Sequence, residues 1–507
     1  MSEDAVHVGA AVERTKAAYA RGDYSSAAAN ALEWVGAHGL PPVPLATPLA
    51  KALRALGRYS EARRVLQAAR RTATDASERS DVLAEQAELA WVLRDHAEGL
   101  ELAVAALRID PSNRRAQTVR DRCAFGMEID ARPIAARTFA HAAFSVSAHG
   151  NFGDVVVPIA VREAFESVER PAEWLPIHVH QVFDEETLER VQQTERLIVG
   201  GGGLFLSDTA PNPFSGWQWN VTSDRIRRLG VPLAIFGVGY NVFPGQERLG
   251  EAFDASILAV AETARLIGLR NHGSIERVRD HLPPSLRERV TYVPCPTTLL
   301  SRTHSLPPRH ETGAAPVVYL NAAYDRAALR FGVGAETAGA PGGETGRGYG
   351  EFLEQIARYV RRVRDAGAEV RIASHLPADD ALAKDLRSSH DLTVPIDAMY
   401  DLTLDDALAR YRDAALVVGM RGHAGMIPFG VGTPILSLVS HPKLQYFLDD
   451  IGRPEWGFSV ASPTLADDLA ASTLDILERQ GAYRADIRSI QDALEEITRT
   501  SVQAFLA

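Results

Sequence analysis

Between about residue 136 and residue 463, short apolar runs alternate with amphipathic stretches of helical spacing, and this alternation limits the fold more than any other feature. TFAHAAFSV (138–146), LPIHVH (175–180), RLIVGGGGLFL (196–206) and VPLAIFGVGYN (231–241) read as strands. So do the apolar start of ARLIGLRNHGSIERVRDHL (264–282) and VTYVPCP (290–296). Helical segments such as VVVPIAVREAFESV and EETLERVQQT separate them. Strands spaced by helices on this scale imply parallel βαβ units and a Rossmann-like sheet. SRTHSLPPRHETGAAP (301–316) has linker composition, and a second α/β set follows. In that set PVVYLNAA, AEVRIASHL, Leu416–Val418 and Ile435–Val439 are the strands. A glycine-rich loop is expected over Gly332–Gly350, and its closure over substrate is left open.

Residues 10 to 124 have a different period. They read as all-helical and repetitive, with turns starting at Gly22, Gly57 and Arg94. That spacing resembles the tetratricopeptide period, and three helix pairs could stack into a small solenoid with a concave protein-binding face. A helical bundle without partner binding fits the same composition. The expected domains are 1–130 (helical repeats), 136–300 and 314–463 (two Rossmann-like domains) and 464–507 (helices able to pack back across both).

At 507 residues, several domains are expected. A net charge of −11 argues against a general binder of nucleic acid or anionic membrane. Cys123 and Cys295 are too few for a disulfide scaffold and lack the spacing of a zinc site. No metal and no cofactor are expected. The acidic N-terminus has no apolar h-region, and no stretch approaches a membrane span, so a cytoplasmic protein is expected. Four lysines stand among 54 Lys and Arg residues. A retained Lys suggests use of a compact, titratable ammonium, and Lys443 is one of the four.

The chemistry concentrates in LVVGMRGHAGMIPFGVGTPILSLVSHPKLQYFL (416–448). One strand end is followed by Arg421 and His423, and the next by His441 and Lys443. Ligands of open α/β sheets bind outside the carboxyl ends of the strands. Arg can hold a carboxylate or phosphate bidentately, and His can exchange a proton near neutral pH. This rim therefore reads as an anion-binding and proton-transfer site. HGNFGD (149–154) also lies between a strand and a helix. Its glycines either let backbone amides approach an anion or serve only the turn, with Asp154 capping the helix. The glycines 200–203 lack the spaced dinucleotide fingerprint, and either clear room for a ligand or serve packing. LRNHGS (269–274) places Arg270 just past a strand.

Taken together, GNFGD, the strand ending in GGGG, GVG (237–239), Arg270 with Ser274, and RGHAGMIPFGVGTPILSL followed by Lys443 resemble the polysaccharide pyruvyl transferase family. The resemblance covers roughly residues 138 to 455. It implies two Rossmann-like domains similar to the B-type glycosyltransferase fold, with the active site in the cleft between them. It implies phosphoenolpyruvate as donor and a pyruvate ketal on a sugar or glycan acceptor as product. On this resemblance Arg421 binds the donor's phosphate or carboxylate, and His423 is the general acid or base. Arg270 and Lys443 complete the donor cradle, with Gly201 and Gly202 beside it. Asn151, Asp154, Ser274 and His441 fall on the acceptor side or in the cleft. Two positions depart from the family: Asn271 follows Arg270 where Asp is usual, and Cys295-Pro296 stands for an Asp-Pro pair. The alternatives are a nucleotide-sugar-dependent glycosyltransferase on the same fold, or a non-catalytic scaffold whose repeats recruit a partner.

Overall fold

Two parallel six-stranded sheets take up the alternating part of the chain. The computed structural model describes residues 3–144, 150–206, 208–243, 249–306, 308–310, 315–323, 327–331 and 348–507. His149 of the HGNFGD turn and most of the glycine-rich stretch, 332–347, lie outside the described residues, and so does the question of loop closure.

The first sheet holds β1 (Thr138–Ala143), β2 (Glu173–His178), β3 (Arg196–Phe205), β4 (Leu233–Tyr240), β5 (Leu266–Leu269) and β6 (Val290–Tyr292). Their spatial order is β2-β1-β3-β4-β5-β6. The second holds β7 (Val317–Asn321), β8 (Glu369–Ser374), β9 (Ile396–Ala398), β10 (Leu416–Gly419), β11 (Ile435–Val439) and β12 (Gly457–Ser459). Their order is β12-β11-β10-β7-β8-β9, so the winding reverses between β7 and β10. In the first sheet it reverses between β1 and β3. Ligand crevices form where such sheets change direction. β1, β4 and β10 are buried along their whole length, as expected of parallel strands covered by helices on both faces. β9 and β12 were not among the expected strands. Each is three residues long at a sheet edge, too short to show a period.

Seven helices, from Glu3–Ala20 to Arg114–Asp130, precede the sheets. The three expected turns share one geometry. Gly22, Gly57 and Arg94 have φ of 81°, 71° and 64°. Behind them the N–H groups of Asp23, Arg58 and Asp95 donate to Ala18, Leu53 and Ala90 at 3.0, 2.8 and 2.9 Å. These are Schellman closures, in which a left-handed residue lets the chain reverse while satisfying the last helical carbonyls. Gly removes the steric cost at two of them, and Arg94 offsets it by pairing with Asp130 at 2.8 Å.

The helical region is fastened to the first sheet. Val182 N–H donates to Val92 at 2.9 Å, and Gln181 donates to Trp91 at 2.8 Å. Arg190 reaches the carbonyls of Asp130 and Ile129. The chain's last helix, Gln480–Leu506, does pack across both sheets. Arg484 donates to Ala414 and Gly432 beside the second sheet. Val502 and Phe505 pack in a cluster with Phe139, Ile198 and Phe236 of the first. Among the described residues no helix is long and apolar enough to cross a membrane. Two Rossmann-like sheets behind an all-α region give the B-type glycosyltransferase architecture that the resemblance implied.

Candidate active site

The carboxyl ends of the two sheets face a cleft of about 450 Å³. On the second-sheet side, β10 stops at Gly419, where a Cβ would lie 2.8 Å from the carbonyl of Ala424. The chain can therefore turn at once into helix Gly422–Gly430, with Arg421 at its N-cap. Arg421 Nε and Nη2 bind the two oxygens of Asp379 at 2.9 and 2.6 Å. Asp379 has no exposed surface and also accepts the N–H of His375 at 3.0 Å. Asn321 Oδ1, at the end of β7, accepts the N–H of Arg421 at 3.3 Å. Arg421 thus ties β7, β8 and β10 together at their carboxyl ends. The two-point grip expected on the donor is occupied by Asp379, while Arg421 still lines the cleft.

His423 is the second residue of the same helix. Its ring lies against Gly153 of the opposite domain, where a Cβ would approach Nδ1 to 2.6 Å. Its Nε2 is 3.8 Å from Cys295 Sγ, so the departure from the family's Asp-Pro pair falls beside this imidazole. Burial, then Arg270, His375 and Lys443, hold its pKa well below the usual histidine value. The positive helix end acts in the same direction. The imidazole is therefore neutral and able to accept a proton.

The first-sheet wall begins with Asn151, the N-cap of helix Phe152–Glu166, whose Oδ1 accepts the N–H of Gly153 at 3.0 Å. Phe152 N–H crosses to the carbonyl of His375 at 3.1 Å. Asn151, not Asp154, caps the helix, which leaves Asp154 at its third position facing the cleft. Burial pushes the Asp154 carboxyl up to about 6, against the pull of Arg421, Lys443 and Arg270.

Arg270 is 4% exposed and donates to Asn241 Oδ1 at 3.0 Å, while its Nε is buried without a hydrogen-bond partner. Burial lowers its pKa from the usual arginine value, although guanidinium remains charged. Asn271, where the family has Asp, caps helix His272–Arg279 by accepting the N–H of Ser274 at 2.7 Å. Only the acceptor oxygen is used in that bond, and Nδ2 is left without a partner. On the facing side, Lys443 enters from the start of helix Pro442–Asp450. Its Nζ lies 6.0 Å from the centre of the Phe243 ring, which Arg330 also covers at 5.5 Å.

Arg421, His423, Arg270, Lys443, Asn151 and Asp154 all line the one cleft. Four expected site residues do not. Gly201 and Gly202 have φ of 86° each, and a Cβ on Gly201 would strike Val157 at 2.0 Å. This stretch serves helix packing, and only Gly203 of the run reaches the cleft. Ser274 is 1% exposed, and its Oγ accepts the N–H of Tyr240 at 2.9 Å, latching its helix to β4. His441 packs edge-on against Phe243 and caps its own helix by accepting the Lys443 N–H at 3.0 Å. Burial and Lys443 lower its pKa to about 2. Sequence reasoning missed Asp379, His375, Asn241, Arg330 and Arg122. Asn241 and His375 directly follow β4 and β8, the strand-end position that located the other residues, whereas Asp379, Arg330 and Arg122 carry no such signal. Among the described residues no group of three His, Cys, Asp or Glu is placed to hold a metal ion.

Several solved structures align with this chain at low similarity. A mutant O-GlcNAc transferase of Thermobaculum terrenum is 14% identical over 99% of each chain, with a TM-score of 0.34. A putative UDP-N-acetylglucosamine 2-epimerase of Listeria monocytogenes is 13% identical over 70% of this chain and 91% of its own, at 0.40. The UDP-GlcNAc 2-epimerase of Neisseria meningitidis is 9% identical over 73% and 99%, also at 0.40. No curated protein matches the sequence. The family model for polysaccharide pyruvyl transferases matches residues 151–442. That span runs from the asparagine that opens one wall of the cleft to the start of the helix that carries Lys443. It includes more than half of the sequence, and the chain belongs to this family of transferases.

Proposed function

We propose that this chain transfers the pyruvyl group of phosphoenolpyruvate to two hydroxyls of a sugar or glycan, forming a ketal. The observation that carries this reading is the set of Arg270, Arg330, Arg421 and Lys443 around a neutral His423 and an Asp154 poised near neutrality. Phosphoenolpyruvate is multiply anionic, and fixed cations in a cleft stabilise charge that develops as phosphate departs. Protonation of its methylene makes the central carbon electrophilic, and one acceptor hydroxyl adds there. Phosphate then leaves and the second hydroxyl closes the ketal. Of the two hydroxyl protons released, one balances that delivered to the methylene and the other leaves with phosphate. His423 is the proposed proton shuttle, and Asp154 is the second group able to hold a proton near pH 6. Donor binding favours the acid form of His423, because added negative charge raises the pKa that the cations hold down.

The test is thermal shift with phosphoenolpyruvate on the wild type and His423→Ala, followed by phosphate release with candidate acceptors. At 100 times the dissociation constant the donor stabilises the wild type by about 2.7 kcal/mol. His423→Ala keeps donor binding and loses turnover by about 100-fold or more. A shift with nucleotide sugars and none with phosphoenolpyruvate would instead favour the glycosyltransferase reading.

A further inference from the structure

The cleft extends beyond the cradle, and at its far end one wall comes from outside the family span. Arg122, on helix Arg114–Asp130 of the helical region, lines the same cleft as Arg421 and His423. Its guanidinium lies over the Trp91 ring at 4.8 Å. Among the described residues it makes no hydrogen bond and no ion pair. Glu88, the carboxylate in its field, is already engaged by Arg54 at 3.1 Å and Arg115 at 3.4 Å. Beside it, His178 and His180 at the end of β2 are held neutral by burial, with Arg122 adding to the effect. His180 Nε2 is satisfied by Gln218 Oε1 at 2.9 Å, and its ring meets Phe144 edge-on at 5.3 Å. A cation with five N–H donors thus faces the cleft from a wall of neutral rings and an amide.

Arg122 stands near the end of β2, whereas the Arg270 guanidinium crosses β4 at Gly239, three strand spacings away. At about 4.8 Å per spacing the two cations are on the order of 14 Å apart along the sheet. The carboxylate and phosphate of phosphoenolpyruvate hang on one carbon, so a single donor cannot reach both. We propose that Arg122 holds an anionic group of the acceptor, so that the substrate is an acidic saccharide selected by the helical region. This rests on the pyruvyl-transfer reading for the name acceptor, but the anion site itself does not.

The test is equilibrium binding to the full chain, with and without saturating phosphoenolpyruvate. The probes are hexose 1-phosphates, uronic acids and the matching neutral methyl glycosides, against wild type, Arg122→Met and Arg122→Lys. Arg122→Met keeps the packing on Trp91, and thermal unfolding verifies that it is folded. Charged saccharides bind the wild type, lose about tenfold or more in affinity in Arg122→Met, and recover part of it in Arg122→Lys. Whichever arm binds more tightly identifies phosphate or carboxylate as the group. Phosphoenolpyruvate binding is the same in all three proteins. Charged saccharides that bind Arg122→Met as well as wild type, or that bind no better than neutral glycosides, would overturn the proposal. If phosphoenolpyruvate fails to bind the wild type while charged saccharides still depend on Arg122, the donor reading falls and the anion site stands.

Discussion

A carbon added to Gly239 would lie 2.2 Å from Arg270 Nε and 2.6 Å from its Cζ. The last glycine of GVG is therefore the notch through which the guanidinium crosses β4 to reach the cleft. Gly239→Ala pushes Arg270 aside with its carbonyl scaffold intact. The expected outcome is a loss of phosphoenolpyruvate affinity of about 10-fold to 100-fold, as for a lost charge-assisted hydrogen bond. Calorimetric titration of the variant beside Arg270→Ala checks it, since both should fail to the same degree.

Asp379 is the buried counter-charge of Arg421. Asp379→Ala removes it and leaves a guanidinium 10% exposed at the meeting of three strands. Breaking such a pair from one side costs about 3–5 kcal/mol. Urea unfolding should show that loss, and donor binding should weaken as Arg421 is released. A loss below about 1 kcal/mol would mean that water compensates the charge.

Asp154 is costly to keep. Its folded pKa of about 6 lies above the ordinary aspartate value of 3.8, so the folded state binds the extra proton between these values. Stability from this group therefore falls as pH rises through that window, and the penalty is complete above about 6. Asp154→Asn should stabilise the protein at pH 7.5 by up to about 3 kcal/mol while reducing turnover. Melting curves and phosphate release on the same sample test the pair of effects. A variant that is stabilised and fully active would remove Asp154 from the chemistry.

Cys295 gives His423 a thiol neighbour where a carboxylate would raise its pKa. Cys295→Asp should move the His423-dependent limb of the pH–rate profile to higher pH. Cys295→Ser, which adds no charge, should leave that limb in place.

Much of this site could be read along the chain, and the limit of that reading has a physical cause. Arg421, His423, Lys443, Asn151 and Asp154 each stand at a strand end or helix start, so local period alone locates them. Arg270 needed the family pattern, because a single Arg after a short strand carries little by itself. Asp379 could not be found this way, because its partner is 42 residues on and meets it only when β8 lies beside β7 and β10. Gly239 and Arg270 are likewise joined by sheet register. The glycine run 200–203 showed that something approaches closely, but not what. At Gly201 it is Val157 of a helix. Arg122 was hidden most completely, since its place depends on how the helical region docks.

Buried histidines should dominate the acid limb of stability. His141, His180, His375 and His441 have folded pKa values of about 3, 4, 3 and 2, and those of His178 and His423 also lie well below normal. The main cause for each is burial, which disfavours the cation. Below pH 6.5 the unfolded chain takes up protons that the folded chain refuses, so stability falls as pH falls. At pH 5 each such group costs about 2 kcal/mol. Protonation of Asp154 offsets this only in part. His304 has the opposite sign: Glu163 raises its pKa to about 8, so its stabilising effect is present below 6.5 and lost as pH rises through 8. The melting temperature should therefore peak near about pH 7 and drop steeply toward pH 5, with net proton uptake on unfolding. Calorimetry in buffers of different ionisation enthalpy measures that uptake. A value near zero at pH 5.5 would mean that the six imidazoles open to water without global unfolding.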